Sequence, residues 1–222
     1  MRYVLIFALI AAVAITGCTP KAPEPAPKPE NLPPPDPTPE EYFNKDLKPI
    51  LDVLSRQANG GAPLQPAEKD EAVGKVGSAK SRCSATENGR QALVRMKGAI
   101  EDLVKKGRDG NMWLVVKGCC QVYSALQPGS DRYVKLEQRA ELMLKRPVVK
   151  VQGFFNIDGQ IYAFLQVTDP GAAKPESCKV REGDEFHGVL KLVRIIGDRQ
   201  SVEILYIPVN DTWIVEGPRE SK

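Results

Sequence analysis

At Val148 the spacing of apolar residues changes period, and the change divides the chain into two parts that no single type of secondary structure can span. Before it, apolar side chains recur three and four positions apart, the interval that lines one face of an α-helix. After it they recur at every second position, the interval of a strand with one buried face. A run of helices followed by a run of strands predicts an α+β chain, with a small helical bundle over 39–147 and a small all-β sandwich or barrel over 148–217. Residues 218–222 are left as a tail.

Thr38-Pro39-Glu40-Glu41 predicts the first helix start, because Thr38 can cap, Pro39 fits the first helical position and Glu41 completes a capping box. The stripe that follows is Phe43, Leu47, Ile50, Leu51 and Leu54, and Pro49 is expected to kink or split it. The alanine-rich stretch 66–81 contains Gly74 and Gly77 and reads as a weak helix. Ser84-Ala85-Thr86-Glu87 reads as a second capping box, ahead of a helix with Leu93, Met96, Ile100 and Leu103 on one face. From Asn111 to Leu126 the chain is apolar nearly all round, which places a helix inside the bundle. Tyr133, Leu136, Ala140 and Met143 stripe the last helix, which Ser130 can cap and Pro147 ends.

Beyond Val148, Val149, Val151, Phe155 and Ile157 alternate up to Asp158-Gly159, a two-residue hairpin turn, and Ile161, Ala163, Leu165 and Val167 alternate away from it. Further strands are expected at 179–180, 189–196, 201–207 and near Trp213, with a tight turn at Glu182-Gly183-Asp184. The outer strands of such a small sandwich expose unpaired backbone groups, and strand addition by a partner would satisfy them.

At the other end, Arg2 precedes an apolar run from Val4 to Ala14 and then Ile15-Thr16-Gly17-Cys18. The run is shorter than the ~20 residues of a spanning helix, so 1–17 reads as a lipoprotein signal peptide and Cys18 as the thiol that receives diacylglycerol. The proline-rich stretch 18–38 is then a lipid-anchored tether, reaching roughly 65 Å at about 3.1 Å per residue. This places the chain in a bacterial cell envelope, facing the periplasm from the inner or the outer membrane, a compartment that permits disulfides. Cys83, Cys119, Cys120 and Cys178 allow three full pairings. A bridge from Cys83 to Cys119 or Cys120 is the preferred one, and adjacent helical positions diverge by about 100°, so only one of the pair can face it.

The net charge of +3 is spread along the chain and gives no reason to expect a nucleic-acid partner. No histidine or carboxylate cluster accompanies the cysteines, so no metal is expected. His187 stands in a turn without a nucleophile-elbow serine and reads as a surface residue, and Asp184 in its glycine turn is expected to bond its own backbone. The expectation is a non-enzyme with no cofactor and no small-molecule substrate, which works by binding protein.

Val180-Arg181-Glu182-Gly183-Asp184-Glu185-Phe186, then Gly188, Leu192-Val193-Arg194-Ile195, Val202-Glu203-Ile204-Leu205-Tyr206 and Thr212-Trp213 resemble the β-domain of the PilP family, lipoproteins of type IV pilus assembly. The homology region of the GspC family of type II secretion is similar. The resemblance covers about 148–217 and implies a small β-sandwich docking on the periplasmic domain of an outer-membrane secretin. It makes Val180, Gly183, Asp184, Gly188, Val193, Ile195, Glu203 and Tyr206 the candidate partner-binding residues. The helical segment has no counterpart in typical PilP proteins, which leaves an alternative: a scaffold lipoprotein whose bundle binds another envelope protein while the β-domain is structural.

Overall fold

Thr38 caps the first helix as its sequence requires: its Oγ1 accepts from the Glu41 N–H at 3.2 Å, and the Glu41 carboxylate accepts from the Thr38 N–H at 2.7 Å. The structure, a computed structural model, describes residues 35–197 and 200–218. The signal segment 1–17, the lipid-bearing Cys18, the tether up to residue 34 and the tail from residue 219 lie outside the described residues. From Asp36 onward the chain belongs to one unit.

Its helical part comprises α1 (Pro39–Tyr42), α2 (Lys48–Ser55), α3 (Pro66–Gly74), α4 (Val76–Ser84), α5 (Glu87–Asp109), α6 (Trp113–Leu126) and α7 (Asp131–Leu144). The first helical path is divided as expected, into α1 and α2, with Pro49 in the opening turn of α2. The turn before it, Phe43–Leu47, opens into a π-helix that joins α1 to α2, and the Lys48 N–H reaches back to the Phe43 carbonyl. A wider turn fits a proline, which lacks an N–H and would clash with the carbonyl four residues back. The stretch 66–81 divides into α3 and α4 at Lys75, directly after Gly74. The start of α5 is capped by Thr86, whose side chain accepts from the Gly89 N–H at 3.1 Å, while Ser84 ends α4. The two helices meet so closely that a Cβ at Gly89 would stand 2.0 Å from the Cys83 carbonyl oxygen.

The bundle core runs from Phe43 to Ala140, with Leu47, Met96, Ile100, Val115 and Val116 fully enclosed. Cys83, Cys119 and Cys120 are in it as free thiols, so the expected bridge is absent. Burial pushes all three thiols up, above all Cys119, and they pack as small apolar side chains.

Two antiparallel sheets follow. One has the order β1-β2-β3 (Val148–Ile157, Gln160–Thr168, Glu176–Val180); the other has β4-β5-β6-β7 (Glu185–Phe186, Leu190–Ile196, Ser201–Tyr206, Asp211–Glu216). Val149, Val151, Ala163, Leu165 and Val167 of the first meet Leu190, Leu192, Val202 and Ile204 of the second in one core, so the architecture is an α+β chain ending in a sandwich. No closed barrel is present among the described residues. The turn of the β1–β2 hairpin uses Asp158 at φ 51° and Gly159 at φ 78°, two left-handed residues whose twist suits a two-residue connection.

Both long sheets carry a register shift. In β1, Val151 pairs with Leu165 and Gly153 with Phe164, so Gln152 is an extra residue and the alternation inverts after it. Val149 and Val151 point inward, but Phe155 and Ile157, in phase with them in the sequence, point outward at 54% and 40% exposure. In β5 the shift falls between Leu192 and Arg194 and leaves Val193 exposed.

The helices hold the sandwich at its second sheet. Met143 of α7 enters the sandwich core, the Tyr206 hydroxyl donates to the Leu142 carbonyl at 3.1 Å, and Arg146 lies over the Trp213 ring at 4.7 Å. Asp211 at the start of β7 takes both Arg139 and Arg146.

Candidate functional site

The eight candidate partner-binding residues do not form one surface. Val180 and Tyr206 are buried in the sandwich core, and Tyr206 is further committed to α7. They are corrected to structural residues, because side chains enclosed between two sheets cannot meet a partner. Glu203 stands on β6, which pairs along its length with β5 on one side and β7 on the other, so this strand offers no free edge to an incoming one. Its carboxylate accepts from Arg194 Nε at 2.6 Å.

Gly183 and Asp184 form the turn ahead of β4 and are tied to β5. The Gly183 N–H donates to the Leu192 carbonyl at 2.7 Å and the Leu192 N–H to the Asp184 carbonyl at 3.0 Å. The Asp184 carboxylate accepts from the Arg181 N–H at 3.1 Å and from Arg181 Nε at 3.2 Å. Past the short β4, strand β5 does present backbone outward at Ile195. There Glu182 folds over and accepts the Ile195 N–H at 2.6 Å, a side chain that occupies the edge an incoming strand would use. Gly183, Asp184 and Ile195 line one cleft of about 1960 Å³ together with the tip of the β1–β2 hairpin, and their polar groups there are already engaged, with Leu192, Arg181 and Glu182 in turn.

His187 and Gly188 turn β4 into β5 with φ of 51° and 70°. His187 is not a plain surface residue. Its Nδ1 lies 2.7 Å from Glu176 Oε2 and its Nε2 2.9 Å from Asp169 Oδ1. The hydrogen bond to Asp169 first, and that to Glu176 after it, raise its pKa against the opposing effect of burial. Asp169 follows β2 and Glu176 opens β3, so the imidazole clamps the first sheet to the second. A left-handed histidine is costly unless its surroundings hold it, and the two carboxylates do so.

The surface with binding character lies elsewhere, on the outer face of the three-stranded sheet. Pairing Phe155 with Tyr162 and Phe164 with Lys179 sets an aromatic cluster across β1, β2 and β3, and Ile157 extends it toward the hairpin tip. The rings of Phe155 and Phe164 meet edge to face at 6.2 Å. Phe155, Ile157 and Phe164 are each exposed by at least 37% on this face, and three such side chains on one hairpin are not the scattered singles of an ordinary surface. Lys179 Nζ sits 4.3 Å above the Tyr162 ring, an aromatic-cation contact at the rim. Sequence alternation alone would have put Phe155 and Ile157 in the core, and the signal it lacked was the single extra residue at Gln152.

Among the described residues no group of three or more His, Cys, Asp or Glu side chains is arranged to hold a metal ion, and no helix is long and apolar enough to cross a membrane. In comparisons with known proteins, no family model, no curated protein and no solved structure matches this chain.

Proposed function

We propose that this chain is a non-enzymatic envelope lipoprotein, anchored through Cys18, whose β-sandwich docks on a protein partner, a secretin-type periplasmic domain of a type IV pilus or type II secretion machine. The observation that carries the docking role is the outward aromatic cluster of Phe155, Tyr162 and Phe164 on a sheet whose other face packs the sandwich core. The choice of a secretin rests on the likeness of the strand order from Val180 to Trp213 to PilP and GspC domains. The exposed apolar residues of the bundle, Val94 on α5 and Val134 and Leu144 ten residues apart on α7, are not neighbours on one helical turn, which weighs against the bundle as the main binding part.

Purification of the tagged full-length chain from detergent-solubilised envelopes tests this reading. A secretin should co-elute with the wild type and be lost with Phe155→Asp/Phe164→Asp, while Cys18→Ala should release the chain from the membrane fraction. A wild-type eluate free of secretin would refute the assignment.

A further inference from the structure

The charges around the aromatic cluster specify what can cover it. Ladder register places Lys150 and Lys179 on the same outer face as Phe155 and Phe164, Lys150 pairing with Gln166 and Lys179 with Phe164, and Arg181, just past the end of β3, reaches the same side with its guanidinium 3.4 Å from Gln160. Every position that the β1–β2 and β2–β3 pairing turns to this side is apolar, uncharged polar or cationic, and none is Asp or Glu. Arg181 is partly neutralised by Asp184, whereas no ion pair engages Lys150 or Lys179 among the described residues. The face is therefore an apolar centre with unneutralised cations at its rim.

We propose that this face binds a protein surface of the complementary kind, apolar side chains bordered by carboxylates; the proposal rests on the protein-docking reading above and names the chemistry of the partner at that site. A second copy of the chain does not fit, because a two-fold contact through this face would set Lys150, Lys179 and Arg181 against the same cations. An anionic bilayer fits less well than a protein. The hairpin would approach it by its tip, where Asp158 is exposed, and the aromatic side chains lie along the flat of the sheet. Carboxylates at the rim of a protein partner meet the lysines without desolvating either fully, which favours fast encounter and correct register.

The test places a photoreactive benzophenone side chain at residue 155, and at residue 94 as a control, in the full-length chain in its own cells. Irradiation should yield one discrete protein adduct from 155 and none from 94. Lys150→Glu/Lys179→Glu should reduce the adduct by about tenfold or more, Lys150→Gln/Lys179→Gln less, with unchanged thermal unfolding in both. Peptide mapping should place the adduct beside Asp or Glu side chains, and exchanging those for Lys should restore capture by the Glu variant. An adduct with twice the mass of the chain, lipid adducts alone, no adduct, or capture indifferent to the lysines would each overturn the proposal. If the adduct obeys the lysines but the protein captured is not a secretin, the face stands and the secretin assignment falls. If a secretin co-purifies regardless of both lysine pairs, the assignment stands and this face is not its site.

Discussion

The two solvent faces of the sandwich enclose the same core and differ in how their charges are settled. On the four-stranded sheet, Lys191 and Arg194 share the outer side with Glu203 and Glu216, and Arg194 and Glu203 are in contact across the β5–β6 ladder. On the three-stranded sheet Lys179 lies over an aromatic ring, Lys150 and Lys179 have no carboxylate partner among the described residues, and only Arg181 is met by one, that of Asp184. A face that neutralises itself asks nothing of a partner, whereas one with exposed phenylalanines and unbalanced cations is incomplete in solution. Charge balance, more than apolar area alone, separates the structural side of the sandwich from the binding side.

The largest test of the comparison addresses what the faces share. Leu165→Ala and Leu192→Ala, one from each sheet and both fully buried, should each lower stability by about 2–5 kcal/mol in urea unfolding. A large loss from one and none from the other would mean that the sheets do not depend on a common interior. The next concerns the clamp between them. His187 holds its proton more tightly folded than unfolded, owing to Asp169 and then Glu176, so its contribution is complete below its ordinary pKa near 6.5 and is lost as pH rises through the raised value. The urea midpoint should fall as the pH is raised from about 6.5 through the raised value, and His187→Gln should flatten that slope. A slope that persists in His187→Gln would assign the titration to another group.

Smaller effects separate the faces themselves. Glu203→Gln removes the partner of a largely exposed Arg194 and should cost about 1 kcal/mol or less, read as a small shift of the thermal midpoint. Phe155→Ser on the opposite face should change stability by no more than about 0.5 kcal/mol while improving solubility in a concentration series. If Phe155→Ser proved the more destabilising of the two, the aromatic cluster would belong to the fold and not to binding.

Much of this architecture is legible in the chain. Thr38 and Glu41 mark the first helix, the all-apolar run around Cys119 marks the interior helix, and Asp158-Gly159 fixes the first hairpin to the residue. Periodicity reports local geometry, and these features are local. The face of a residue after a bulge is not local, since it depends on which partner positions the neighbouring strand offers. Thus Phe155 and Ile157 read as core and emerged on the surface. The binding candidates suffered the reverse fate: Val180 and Tyr206 belong to recognisable strand patterns but face the interior, and Glu203 belongs to a strand that sequence cannot identify as central. His187 reads as a surface residue because Asp169 and Glu176 reach it only once the sheets are stacked.

The bulge at Gln152 also bears on how such a surface could arise. Substitution replaces one side chain at a time, but inserting or deleting a single codon inside a strand exchanges everything beyond it between interior and exterior. Here one residue decides which of the neighbours Phe154 and Phe155 packs against the core and which is displayed, at almost constant composition. Variation in this domain should therefore be sought in strand length before strand content, and a one-residue deletion would be a more drastic edit to its recognition than several point changes.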